Sequence, residues 1–283
     1  MLSQEKILEL KVFSKQIQMQ TVKTIASLGV GHVGGSLSLT DLLAVLYGAE
    51  MKYDPKNPQW EERDWFVCSK GHAGPAVYSA LGLKGFFPVE ELSTLNRPGT
   101  NFPSHCDRTK TPGVDMTTGS LGQGASLACG IALGFKMDNK PNKVFLAMGD
   151  GEIDEGQVWE MALFAAAKKV TNLIAFVDNN KLQLDGTTND ICPLGDIRQK
   201  FEDFGWYAQE VDGHDVAAIY EAIQNAKAQS DKPAMIVLHT VKGHGWSAIE
   251  NQVSSHSMNV SAEQLAEALA EMEAEVAKLT QEV

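Results

Sequence analysis

A chain of 283 residues that is 43% hydrophobic is long enough for one large domain or two small ones around a sizeable core. Its 36 acidic side chains outnumber the 24 basic ones and give a net charge of −12, which argues against nucleic acid or a membrane surface as a partner. Any phosphate that the protein binds must therefore be neutralised locally. The four cysteines are widely spaced and form no CxxC pair, so neither a disulfide framework nor a zinc site is expected. The N-terminal segment lacks the layout of a signal peptide and no apolar run reaches a membrane-spanning length, so we expect a cytoplasmic protein.

The apolar residues alternate along the chain between helical and strand-like spacing. Helical spacing predicts a long first helix over residues 6–28, a second helix after Asp41, and three more in the segments 122–137, 157–169 and 216–229. Apolar runs of strand length occupy residues 64–69, 144–148, 172–178 and 234–240. Continuously apolar strands that alternate with helices are typical of a parallel sheet with helices on both faces, so we predict an α/β fold.

The composition changes near residue 261. Residues 261–283 are rich in alanine and glutamate and predict an amphipathic helix with an acidic face. We therefore expect a domain over residues 1–260, followed by a terminal helix over residues 261–283 that forms a tail, a cap or an oligomer contact.

Polar residues follow two of the predicted strands at the point where each strand ends. Asp150 lies between two glycines after one strand, and Asn180 follows the next. Ligands of parallel sheets bind beyond the carboxyl ends of the strands, and carboxylate and amide oxygens suit Mg²⁺ or Ca²⁺. Gly151 would let the backbone approach a phosphate at the start of the following helix. A lone Gly-Asp-Gly is more often a tight turn that ends a strand, but the second polar pair, residues 179–180, favours a ligand site.

The segment GDGEIDEGQVWEMALFAAAKKVTNLIAFVDNN, residues 149–180, resembles the thiamine diphosphate motif, in which GDG is followed about thirty residues later by NN. Residues 5–260 resemble the first of the three domains of transketolase, a thiamine-diphosphate-binding (pyrophosphate-binding) domain. The resemblance implies that Asp150, Asn180 and the main-chain carbonyl of Leu182 bind Mg²⁺ or Ca²⁺ and that the Gly151 amide meets the diphosphate. It also implies that Glu155 lies at a dimer interface, near the cofactor of the opposite site.

Three histidines lie beside small residues in expected loops, as functional histidines often do. They are His32 in GVGHVGGS, His72 in SKGHAGP and His105 in NFPSHCD. The resemblance implies that they contact the donor sugar, the diphosphate or both. TTGSLGQG, residues 117–124, is similar to the TGPLGQG loop of the family, which implies that Gly119 and Leu121 lie against the rings of the cofactor.

His256 matches a family histidine that contacts the diphosphate and the substrate, although the glycine that usually follows it is a serine here. KGHG, residues 242–245, replaces the commoner KGKG. These departures put the choice of substrate in doubt rather than the binding of the cofactor. His214 and His239 are expected to lie in a turn and at a strand end, without a functional role.

The resemblance implies the N-terminal subunit of a transketolase, which moves a two-carbon ketol unit from a ketose (phosphate) donor to an aldose (phosphate) acceptor. His32, His105 and His256 would assist proton transfers, with Glu155 at the interface. The pyrimidine-binding domain of the family does not follow residue 256 in this chain. We therefore expect activity only with a C-terminal partner subunit, in an α₂β₂ heterotetramer, on small sugar phosphates. A longer natural chain cut for expression would give the same sequence.

Two alternatives stay open. The alpha subunit of a 2-oxoacid dehydrogenase shares the GDG and NN motifs and is naturally split, but TGSLGQG and HTVKGHG favour transketolase. A non-catalytic relative would keep the fold, and the altered loop around His256 leaves this possible.

Overall fold

The computed structural model describes residues 1–281, and the last two residues of the predicted terminal helix lie outside the described residues. The strands, in chain order, are β1 (Val30–Gly31), β2 (Trp65–Cys68), β3 (Val144–Gly149), β4 (Leu173–Asn179), β5 (Tyr207–Asp212), β6 (Ala234–His239) and β7 (Met258–Asn259). The helices are α1 (Gln4–Leu28), α2 (Gly34–Leu37), α3 (Thr40–Val45), α4 (Gly74–Leu83), α5 (Gln123–Met137), α6 (Gly156–Ala167), α7 (Thr188–Ile191), α8 (Ile197–Asp203), α9 (Val216–Lys227) and α10 (Ala262–Gln281).

A five-stranded parallel sheet in the order β2-β3-β4-β6-β5 forms the centre of the molecule. The register pairs Gly149 with Asp178 and Asn179 with His239, so β3, β4 and β6 end at the same edge. This confirms the predicted α/β class and places the residues after these strands side by side. β1 and β7 form a separate antiparallel pair.

Alternate residues of the central strands enter two apolar clusters, one on each face of the sheet. Phe145 and Phe176 pack into the cluster that includes α1, α3, α4 and α9, whereas Leu146 and Val177 pack into the one that includes α5, α6 and α8. Because both faces are buried, β3 and β4 need apolar side chains at every position, which explains their continuous apolar runs. Burying each of these large side chains contributes about 1.5 to 3 kcal/mol.

The two long terminal helices pack against each other. α1 begins with the Ser3 side chain accepting a hydrogen bond from the Lys6 N–H, and it ends at Gly29, whose φ of 90° closes the last turn. α10 packs on α1 through the buried Ala268 and Met272. The division into a domain over residues 1–260 and a terminal helix stays a prediction. None of the helices within residues 1–281 is both long enough and apolar enough to cross a membrane.

Candidate active site

A crevice of about 190 Å³ opens beyond the carboxyl ends of β3 and β4. It brings together the Gly-Asp-Gly turn, the segment after β4, the histidine loop before α4 and the loop after β6. Its lining residues are Gly35, Lys70, His72, Leu121, Gly149, Asp150, Gly151, Glu152, Asn180, Leu182, Gln183, Leu184, Lys242 and His256. The position agrees with the general rule that ligands of open parallel sheets bind at this edge.

Asp150 lies buried at the floor of this crevice. Its two carboxylate oxygens accept hydrogen bonds from the backbone N–H groups of Gly151 and Lys181, which joins the turn after β3 to the segment after β4. Burial, reinforced by the neighbouring charge of Asp178, raises the pKa of Asp150 to about 7. A buried carboxylate whose charged form is disfavoured to this extent is the kind of group that a cation stabilises.

The other two predicted metal ligands lie beside Asp150. The side-chain oxygen of Asn180 accepts from the Leu182 N–H at 3.1 Å, and the Leu182 carbonyl accepts from the Lys242 ammonium at 3.2 Å. The Leu182 carbonyl therefore already faces a positive charge. Three oxygen donors of the type that Mg²⁺ and Ca²⁺ prefer are thus brought to one place, and these residues fit a divalent cation.

Gly151 and Glu152 fix the turn after β3. A Cβ at Gly151 would lie 2.8 Å from Cγ of Gln183, so this position has no room for a side chain. The buried Glu152 carboxylate accepts from the Ser69 hydroxyl, from the Gly122 N–H at 2.9 Å and from the Gly149 N–H at 3.0 Å. Glu152 therefore joins the ends of β2 and β3 to the TGSLGQG loop.

Two buried lysines, which the sequence analysis did not single out, face the crevice. Lys70 pairs with Asp178 at the end of β4 and donates to the Gly35 carbonyl at 2.7 Å. Lys242 donates to the carbonyls of Leu182 and Gln183 and to Nδ1 of His256, and burial lowers its pKa to about 8. Each lysine brings one positive charge to the crevice. No local spacing in SKGH or VKGHG distinguishes these two lysines from lysines at the surface.

The four predicted histidines form one cluster at the mouth of the crevice. The ring of His32 lies with its centroid 5.1 Å from that of His72, 5.8 Å from His105 and 5.4 Å from His256. Burial lowers the pKa of all four imidazoles, with further lowering from Lys70 at His72 and from Lys242 at His256. The pKa of His256 falls to about 4. The cluster is therefore neutral at pH 7, and each ring offers one donor and one acceptor nitrogen.

Of the remaining predicted site residues, Gly119 and Leu121 lie near the histidines or the crevice, whereas Glu155 does not. A Cβ at Gly119 would come within 3.5 Å of the His105 ring, and Leu121 lines the crevice. Glu155 is exposed at the start of α6, outside the lining of the crevice. His239 ends β6, is exposed, and lies 3.0 Å from a Glu210 oxygen.

Comparison with known proteins decides the family of this chain. Residues 10–278 match the family described as transketolase, thiamine diphosphate binding domain. This chain belongs to the transketolase family. It is 52% identical over 271 residues to the 6-deoxy-6-sulfo-D-fructose transketolase subunit SqwG of Clostridium sp. (strain MSTE9), covering 96% of this chain and 98% of the relative. It is 35% identical over 273 residues to an apulose-4-phosphate transketolase subunit of Phocaeicola vulgatus, covering 96% of this chain and 97% of that relative.

A solved transketolase is similar to this chain over less than half of its own length. The Pichia stipitis transketolase in complex with sedoheptulose 7-phosphate superimposes with a TM-score of 0.85 at 31% identity over 97% of this chain, but over only 45% of its own length. The chain is thus an N-terminal transketolase subunit with a thiamine-diphosphate-binding fold, and it acts as one part of a two-chain enzyme. These relatives do not favour the 2-oxoacid dehydrogenase alternative or the non-catalytic one.

Proposed function

We propose that this transketolase subunit holds the diphosphate of thiamine diphosphate and a divalent cation in the crevice beyond the carboxyl ends of β3 and β4. Asp150, Asn180 and the Leu182 carbonyl would hold the cation, and the Gly151 N–H would donate to the diphosphate. The observation that supports this most directly is the buried Asp150 carboxylate. Its pKa of about 7 means that the neighbouring groups do not fully stabilise its negative charge. The nearby Lys242 ammonium would lie against the diphosphate on the other side. Mg²⁺ is the natural first choice because it binds to carboxylates and phosphates together.

The histidine cluster is proposed to bind the sugar. When bound, thiamine diphosphate supplies the carbon that accepts and releases the two-carbon ketol unit. His32, His105 and His256 are neutral at pH 7. Each ring therefore has one nitrogen that can accept a proton from a sugar hydroxyl and one N–H that can donate a hydrogen bond. Gly119 and Leu121 would lie against the cofactor rings, and His72 would contact the diphosphate.

We propose that the partner is a C-terminal transketolase subunit that carries the pyrimidine-binding and C-terminal domains of the family. α5 and α6 pack against each other and expose large apolar side chains, with Leu127 at 39%, Leu163 at 59% and Phe164 at 44% exposure. Such a face marks a protein contact, and Glu155 begins α6 beside it. We infer that the partner covers this face, that Glu155 lies at the interface, and that two copies of each chain assemble as a heterotetramer.

The four cysteines Cys68, Cys106, Cys129 and Cys192 are all free, which supports a cytoplasmic location.

The first donor to assay is 6-deoxy-6-sulfo-D-fructose, because the relative named for it is 52% identical, against 35% for the relative named for apulose 4-phosphate. Removing a two-carbon ketol unit from this six-carbon ketose leaves a four-carbon sulfo-aldose. The expected result is a higher kcat/KM for the sulfonated ketose than for fructose 6-phosphate. Preference for a phosphorylated ketose would overturn this choice of donor and leave the transketolase activity intact.

The experiment that tests the proposal is native mass spectrometry of the two-chain complex purified without added cofactor. We expect both chains together with the mass of thiamine diphosphate and Mg²⁺. The Asp150→Ala variant should lose the cofactor but keep its partner and its fold, because Asp150 lies at the mouth of a strand rather than in an apolar cluster. Cofactor retained at wild-type level in this variant would contradict the assignment of the metal site.

A further inference from the structure

The turn between β5 and α9 contains a histidine outside the crevice, whose ring reaches the loop that follows β6. We propose that His214, oriented by Asp41, is a positioning residue that holds the loop over residues 240–245 so that Lys242 points into the crevice. This role rests on the proposed function, in which the Lys242 ammonium lies against the diphosphate.

Both ring nitrogens of His214 have a partner, and the partners define the proton position. The Val241 backbone N–H donates to Nε2 at 2.9 Å. Because a backbone N–H is only a donor, Nε2 carries no proton. The proton is therefore on Nδ1, which donates to the Asp41 carboxylate of α3 at 2.8 Å. Asp41 thus fixes the tautomer that can accept the Val241 N–H.

The residues on either side of His214 explain why its ring comes so close to this loop. The Gly213 N–H donates to the His239 carbonyl at 2.9 Å, and a Cβ at Gly213 would lie 2.4 Å from a Thr240 methyl carbon. Only glycine allows the two strand ends to approach in this way. Asp212 then accepts the His214 N–H at 2.9 Å. The DGHD segment, to which the sequence pattern assigned no role, therefore packs closely against the residues that follow β6.

The held residue, Val241, immediately precedes Lys242, whose side chain is 1% exposed. The Lys242 ammonium lies 3.2 Å from the Leu182 carbonyl and 3.2 Å from Nδ1 of His256. A backbone shift at Val241 would therefore move an ammonium that contacts a predicted metal ligand and a predicted substrate histidine. His214 therefore affects the crevice through the backbone that joins Val241 to Lys242.

His244 of the same loop stacks on His214, with ring centroids 3.6 Å apart and planes inclined by 22°. Asp41, His214 and His244 bring donor atoms within 4.8 Å of one another, a spacing that a metal ion can bridge. Hydrogen bonds to Asp41 and Val241 already account for both nitrogens of His214, however. The cluster is therefore better explained as a positioning device than as a metal site.

The first test is a double-mutant cycle on the affinity of the assembled two-chain enzyme for thiamine diphosphate in excess Mg²⁺. Lys242→Ala removes a charged contact and should weaken binding by about ten- to a hundredfold. His214→Ala should weaken it by roughly tenfold, as does removal of other residues that orient a binding group. If His214 acts through Lys242, the double variant binds within about twofold of Lys242→Ala alone. Losses that multiply would overturn the positioning role.

Two further variants separate positioning from general stability. His214→Gln keeps a side-chain acceptor for the Val241 N–H and should recover most of the lost affinity. His239→Gln, at an exposed histidine on the adjacent strand end, should bind as the wild type does. An unrescued Gln variant, or an equal loss at His239, would overturn the proposal.

Hydrogen exchange at the Val241 amide, measured by NMR on the full chain, tests the contact without relying on cofactor binding. Exchange should be at least tenfold faster in His214→Ala and unchanged in His239→Gln, because only the first loses the acceptor. An unchanged rate in His214→Ala would overturn the proposal. An unchanged cofactor affinity in Lys242→Ala would instead overturn the proposed role of Lys242, while the exchange result still decides whether His214 holds the loop.

Discussion

The Glu152→Gln substitution is the sharpest test of how the crevice is built, because a single buried carboxylate joins three segments there. Its oxygens accept from the Ser69 hydroxyl and from the backbone N–H groups of Gly122 and Gly149. A glutamine in the same place has one oxygen, which can serve the Ser69 and Gly122 donors. Its amide nitrogen then faces the Gly149 N–H, and two donors meet where a donor and an acceptor met before.

The expected cost follows from these contacts. Loss of the hydrogen bond to the charged carboxylate leaves the Gly149 N–H without a partner, which costs about 1 to 3 kcal/mol of unfolding free energy. Burial raises the pKa of Glu152, so the wild-type charge itself carries a desolvation cost, and removing it places the result towards the lower end of this range.

Urea unfolding of the full chain measures this loss as a lower midpoint at an unchanged slope. The matched control is Glu160→Gln on the exposed side of α6, which should change the unfolding free energy by less than about 0.5 kcal/mol. A Glu152→Gln variant as stable as this control would refute the view that the carboxylate holds the three segments together.

Other perturbations test the rest of the structure. Arg63→Met should destabilise the chain by about 3 to 5 kcal/mol, because it leaves the buried Asp115 carboxylate without its guanidinium, and Asp115→Asn in the same chain should restore part of that loss in urea unfolding. The pKa of Asp150 is raised from 3.8 to about 7, so between these pH values only the native state holds the proton. In the absence of divalent cations, the unfolding free energy should therefore fall as the pH rises from 3.8 to about 7. Asp150→Asn should remove that slope, and a slope that persists would assign it to another group. Leu163→Asp should prevent assembly with the partner in size-exclusion chromatography while changing the stability of the chain alone by less than about 0.5 kcal/mol, and normal assembly would place the interface elsewhere. Chelation of the metal should release thiamine diphosphate from the two-chain enzyme during dialysis, and retention would show that the lysines suffice.

The sequence predicted the strands for which burial on both faces of the sheet requires apolar side chains at every position. β3, β4 and β6 are buried on both faces, so their apolar runs identified them, and the shared edge of a parallel sheet then brought Asp150 and Asn180 together. β5 was missed because it lies at the edge of the sheet, where YAQEVD is only half buried and carries polar residues. β2 lies at the other edge of the sheet but was predicted, because its residues Phe66, Val67 and Cys68 are apolar and buried.

The site was predictable where a motif carries it and hidden where it depends on contacts between distant segments. Lys70 pairs with Asp178, and Lys242 reaches Leu182, through the fold alone. The residues next to Lys70 and Lys242 in the sequence do not predict either contact. His214 is hidden for the same reason, since its partners Asp41 and Val241 belong to other elements.

The charges around the crevice explain why the proposed cation and the diphosphate must bind together. Asp178 neutralises Lys70, so Lys242 is the remaining buried cation among the lining residues, against the two remaining buried carboxylates, Asp150 and Glu152. Within residues 1–281, no carboxylate oxygen lies within ion-pairing distance of the Lys242 ammonium. With both carboxylates ionised the local sum is one negative charge, which repels a diphosphate in a buried site. The proposed divalent cation on Asp150 would reverse that sign, so metal binding would favour binding of the diphosphate.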